Sequence, residues 1–128
     1  MSIIDKRRAM RLVADDYIRY RAARQAGDQR TAWAALERAH IVAQPFFTLH
    51  LTSHRQMLSY SIALGDWREA AGQLFRLALV PLGAATGRLP VGNTGRARTS
   101  AFKPMPIPPD LQALISRDDK VPPRRPEK

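Results

Sequence analysis

The 128-residue chain has no cysteine. That excludes disulfides, thiolate-bound zinc, iron–sulfur clusters and a cysteine nucleophile. With no thiolate to offer, it is expected to hold any transition metal through nitrogen and oxygen. Acidic side chains are scarce: 11 Asp and Glu stand against 21 Lys and Arg, for a formal charge of +10. The excess admits an acidic partner without identifying one. Met1-Ser-Ile-Ile-Asp-Lys-Arg-Arg has no apolar run behind its charges, so no secretory leader is evident. Long hydrophobic runs are missing too. The most apolar stretch, 74–91, is broken by Arg76, Pro81 and Arg88, which argues against a membrane span. A cytoplasmic protein is expected.

Proline is almost absent from the first half. Only Pro45 precedes residue 81, while nine prolines lie at or after it. Charge is uneven as well. Residues 31–80 carry four basic and three acidic side chains, against eight and four in 1–30 and nine and four in 81–128. The near-neutral middle is the natural core. Residues 117–128 have almost nothing to bury and read as a disordered basic tail. One domain is expected over residues 1–116.

Apolar spacing predicts four helices in the first 80 residues. The first runs from about Ile4 to Ala26, with Ile3, Met10, Val13, Tyr17 and Tyr20 as its stripe. The second, about 29–43, aligns Trp33, Leu36, His40 and Ala43 on one face. Pro45 breaks it. The third, about 46–64, places Phe47, His50, Leu51, His54, Leu58 and Ser61 along one side. The fourth runs from Trp67 to about Leu79 and is expected to stop at Pro81.

Ala26-Gly-Asp-Gln-Arg-Thr-Ala-Trp-Ala-Ala-Leu36 aligns with Leu64-Gly-Asp-Trp-Arg-Glu-Ala-Ala-Gly-Gln-Leu74 at an offset of 38 residues. In both copies Gly ends one helix and Asp caps the next. The repeat predicts an all-α fold of two antiparallel, tetratricopeptide-like helical hairpins. Two hairpins leave an open face, and the proline-rich segment 87–116 is read as an extended C-terminal strap over it. Phe102, Met105 and Ile107 would supply its apolar contacts, and Asp110 would cap a short helix, 111–115. A different reading makes Gly92-Asn-Thr-Gly95 an anion-binding nest beside Arg88, Arg96 and Arg98. The spacing of a P-loop is absent.

All three histidines, His40, His50 and His54, fall within 15 residues. His40 lies five residues before Pro45 and His50 five after it. In an antiparallel pair turning at Pro45, both sit about 7.5 Å along their axes from the turn, at about 1.5 Å per residue. His54 shares a face with His50, and Glu37 with His40. Glu37, His40, His50 and His54 therefore form a candidate first shell for zinc, nickel, copper or iron, built from facing helices. Core histidines hydrogen-bonded to carbonyls or to Glu37 would show the same pattern, and both readings stand at this point. No catalytic triad order, nucleophile turn or His-Glu-x-x-His motif stands out, so an enzyme is not expected.

Leu36-Glu-Arg-Ala-His-Ile41, Gln44, His50-x-x-x-His54-x-x-Met-Leu58, Gly87-Arg-Leu-Pro-Val-Gly-Asn-Thr-Gly95 and Pro104-Met-Pro-Ile-Pro-Pro-Asp-Leu111 resemble the bacterial domain-of-unknown-function family numbered 3703. The resemblance covers about residues 5–115 and includes all three histidines. It carries no established activity. Members are often encoded beside heavy-metal resistance genes, which implies a link to metal by association. The expected role is a non-catalytic accessory factor that binds a transition metal. The alternative is an interaction module whose helical surface or basic ends dock a protein or, less in keeping with its motifs, nucleic acid.

Overall fold

The computed structural model describes residues 4–86, 95–97 and 105–116. These residues form five α-helices: α1 (Lys6–Gln25), α2 (Gln29–Ala43), α3 (Phe47–Leu64), α4 (Trp67–Thr86) and α5 (Pro109–Ser116). No strand occurs among the described residues. No helix among them is long and apolar enough to cross a membrane.

The two Gly–Asp stations act alike. Gly27 and Gly65 take left-handed φ values of 74° and 68°, which a side chain would resist. Asp28 accepts the Thr31 amide at 3.1 Å, and Asp66 accepts the Glu69 amide at 3.1 Å. Each capping carboxylate satisfies a backbone donor at a helix start. Between them, Gln44–Phe46 make the turn that separates α2 from α3.

Neighbouring helices pack in order: α1 on α2, α2 on α3 and α3 on α4. Buried alanines let the first pair come close, with Ala9, Ala32 and Ala39 wholly shielded from solvent. One core cluster gathers Ile4, Val13, Ile41, Val42 and Leu111. A second gathers Tyr20, Trp33, Leu36, Met57 and Tyr60. There Tyr20 and Tyr60 meet edge to face, with ring centroids 5.4 Å apart and planes at 80°. α5 closes the first cluster through Leu111. It is tied down by Arg8, which donates to the Leu114 carbonyl, and by the Arg38–Asp110 ion pair.

Several expectations need correction. Met10 faces solvent, and the buried stripe of α1 is Ala9, Val13, Asp16, Tyr20 and Ala23. Phe47 is also exposed. Pro81 does not end α4, which runs on to Thr86. Proline removes one backbone donor from a helix without preventing its continuation, and Val80 is anchored in the interior. Asp110 sits inside the first turn of α5 and not at its cap, because Pro109 opens that helix. Of the expected strap, residues 87–94 and 98–104 lie outside the described residues, as do Ile3 and the expected tail 117–128.

Candidate metal centre

α2 brings His40 in its last turn, and α3 brings His50 and His54 one turn apart. Their Nε2 atoms meet. The His40–His50, His40–His54 and His50–His54 separations are each 3.1 Å. The rings are inclined at 65°, 66° and 45° to one another, so three edges converge on one point. Exposure is 2% for His40, 4% for His50 and 2% for His54.

Hydrogen bonding cannot satisfy this triangle. A neutral imidazole Nε2 either donates or accepts. With three corners and two roles, two corners share a role, and at least one 3.1 Å edge sets lone pair against lone pair or hydrogen against hydrogen. Buried polar conflicts of this kind are costly in a low dielectric.

Gln73, fully buried on α4, sets one corner. Its Nε2 donates to the Glu69 carboxylate at 3.0 Å and to the Gly95 carbonyl at 2.8 Å. Its Oε1 therefore faces His54 Nδ1, 2.7 Å away, and accepts that proton. The Nε2 of neutral His54 is then a bare lone pair aimed into the triangle. Gly95, at φ 81°, lies so close to His40 that a Cβ would fall 2.8 Å from Cδ2 and 2.9 Å from Nε2.

The family described as "Protein of unknown function (DUF3703)" matches residues 7–115. The chain belongs to the DUF3703 family. No curated protein and no solved structure matches it.

In this DUF3703 chain the imidazoles of His50 and His54 are held neutral. Burial, and next the neighbouring His54, push His50 down to about 3. Burial pushes His54 down to about 4, with the Gln73 hydrogen bond opposing the shift and Arg76 adding to it. Neutral imidazole is the form that binds a metal.

Glu37 is the expected donor that does not join the histidines. Among the described residues, the group able to hold an ion is His40, His50 and His54. The Glu37 carboxylate turns to Arg96, whose Nη1 lies 3.5 Å away, and burial raises its pKa against the pull of that guanidinium. Arg96 also stacks on Trp33 at 3.7 Å and donates from Nε to Glu69 at 2.8 Å. Of the three cations expected beside an anion-binding nest, Arg96 is thus paired within the fold, and Arg88 and Arg98 lie outside the described residues. Of Gly92–Gly95 only Gly95 lies among the described residues.

Sequence reasoning missed Glu69 and Gln73, and it singled out Gly95 for a nest and not for its place against His40. A signal was present: Glu69, Gln73 and Arg76 form a polar i, i+4, i+7 line on a helix whose other residues, Arg68 and Thr86 aside, are not polar. All three are buried. Glu69 also accepts the Ala97 amide, at 3.1 and 3.2 Å from its two oxygens. It thereby clamps residues 95–97 over the histidines.

Proposed function

We propose that this protein is a non-catalytic accessory factor that binds one transition-metal ion, zinc, nickel, copper or iron, through Nε2 of His40, His50 and His54. The observation that carries the reading is the closed triangle of 3.1 Å nitrogen contacts. A cation at its apex removes the conflict that protons cannot. Metal–imidazole bonds are about 2.0–2.1 Å long, and nitrogens at this spacing then subtend about 100° at the ion, between octahedral and tetrahedral values. The Glu69–Gln73–His54 chain supports the reading as a carboxylate relay that fixes a ligand's tautomer. Glu37 is not one of the ligands in this proposal. A link to metal resistance, implied by family resemblance, belongs to the same proposal.

The repeated Gly–Asp stations and the packing of α1 on α2 and α3 on α4 support a description as two tetratricopeptide-like hairpins. Leu111 in the core and Ala97 against Gly72 support residues 87–116 as a strap.

The test is elemental analysis of protein purified without an affinity tag. About one metal ion per chain is expected, and the His50→Ala, His54→Ala double variant loses it. Metal-free protein that gains no thermal stability from zinc, nickel, copper or iron refutes the site.

A further inference from the structure

α4 buries a polar line and exposes large apolar side chains. Glu69, Gln73 and Arg76 are 3%, 0% and 6% exposed, whereas Trp67, Leu74, Phe75 and Leu82 are 67%, 58%, 58% and 61% exposed. The polar line faces inward, beside buried Ala70 and Val80, because it serves the histidines and residues 95–97. The outward face is an apolar strip about 30 Å long, at 1.5 Å per residue over 20 residues. Trp67, Ala71, Leu74, Ala78, Pro81 and Ala85 recur on it at spacings of four, three, four, three and four. That is the seam pattern of paired helices.

We propose that α4 pairs with α4 of a second copy of this chain, antiparallel about a two-fold axis at the level of residue 76. Size complementarity selects this occupant and this direction. Antiparallel pairing sets Trp67 opposite the partner's Ala85, Leu74 opposite the partner's Ala78 and Ala71 opposite the partner's Pro81. A larger side chain thus meets a small one in each layer. Parallel pairing would stack Leu74 on the partner's Leu74 and leave voids at the alanine layers, which cost contact energy. The contact is isologous and closes at two copies.

Charge points the same way. No charged side chain lies on the line of Trp67, Ala71, Leu74, Ala78, Pro81 and Ala85, and only exposed Arg68 borders it beside Phe75, so the strip offers nothing to the acidic partners that a +10 chain would otherwise attract. Area suffices: four large side chains more than half exposed, with the alanines between them, present on the order of 500 Å² per copy. Two faces then bury about 1,000 Å², the lower end for a specific interface. The pairing is independent of the histidine triad.

Sedimentation velocity of the full chain between about 1 and 100 µM tests it, a range suited to an interface of this size. A monomer–dimer equilibrium is expected within that range. It strengthens with added salt, because salt screens the repulsion of two +10 chains. L74R is expected to shift the dissociation constant at least tenfold towards monomer, with far-UV dichroism unchanged. L82R repeats the test if L74R fails to fold. A chain that remains monomeric at about 100 µM overturns the proposal, whether its own residues or solvent cover the strip. Dimers that weaken with salt, or that persist in both folded variants, also overturn it.

Discussion

Gln73 Oε1 accepts a hydrogen bond from His54 Nδ1 at 2.7 Å, and this bond decides which nitrogen of His54 faces His40 and His50. The amide cannot be turned round without placing its NH2 against His54 and its oxygen against two acceptors, Glu69 and the Gly95 carbonyl. One glutamine therefore links the histidines on α2 and α3 to residues 95–97.

Gln73→Leu is expected to weaken metal binding by about 10- to 100-fold, the usual effect of losing a hydrogen bond behind a ligand. Gln73→Glu keeps an acceptor for His54 but sets a second buried carboxylate against Glu69 and the Gly95 carbonyl, so it too is expected to weaken binding. Competition against a chromophoric chelator measures both. Equal affinities for wild type and Gln73→Leu would remove Gln73 from the site's design.

Gly95→Ala is expected to destabilise the fold by about 1–3 kcal/mol, through both the positive φ and the collision with His40. Residues 95–97 must lift or the imidazole must rotate, so metal affinity falls as well. Urea midpoints and the same chelator competition separate the two effects.

Added metal should stabilise the native state. At a free concentration a hundredfold above the dissociation constant, the gain is about 2.7 kcal/mol. Thermal denaturation with and without zinc reads it, and the His50→Ala, His54→Ala variant should show no shift.

Tyr17 supplies a pH dependence away from the histidines. Its buried hydroxyl has no hydrogen-bond partner, and burial, with Asp16 second, pushes its pKa up to about 12 from its ordinary value of 10. The fold favours the neutral phenol. That contribution is complete below pH 10 and is lost as pH rises towards 12. Tyr17→Phe should be neutral or stabilising by up to about 1 kcal/mol near pH 7, since it deletes an unpaired buried hydroxyl. It should also flatten the alkaline decline in urea midpoints between pH 9 and about 11.5. An unchanged decline would assign it to other groups.

Local sequence determined the helices and the nearness of the histidines. Gly27-Asp28, Gly65-Asp66 and Pro45 act through left-handed glycine, side-chain capping and a missing amide, all of which operate within a few residues. The 38-residue offset makes the two Gly–Asp stations alike, and the five-residue symmetry about Pro45 puts His40 level with His50. Tertiary structure decided the rest. Glu37 shares a helical face with His40, but Arg96, 59 residues away, takes its carboxylate. The buried face of α1 passed to Ala9, which clusters with Ala39 and Ala43, and to Asp16, which pairs with Arg38 of α2, while Met10 was left to solvent. α4 faces its polar line inward because Glu69 and Gln73 find partners at Gly95, Arg96 and His54. Hydrophobic periodicity shows that a helix has two faces. Which face is buried depends on the partners that tertiary contact supplies, and here those partners are polar.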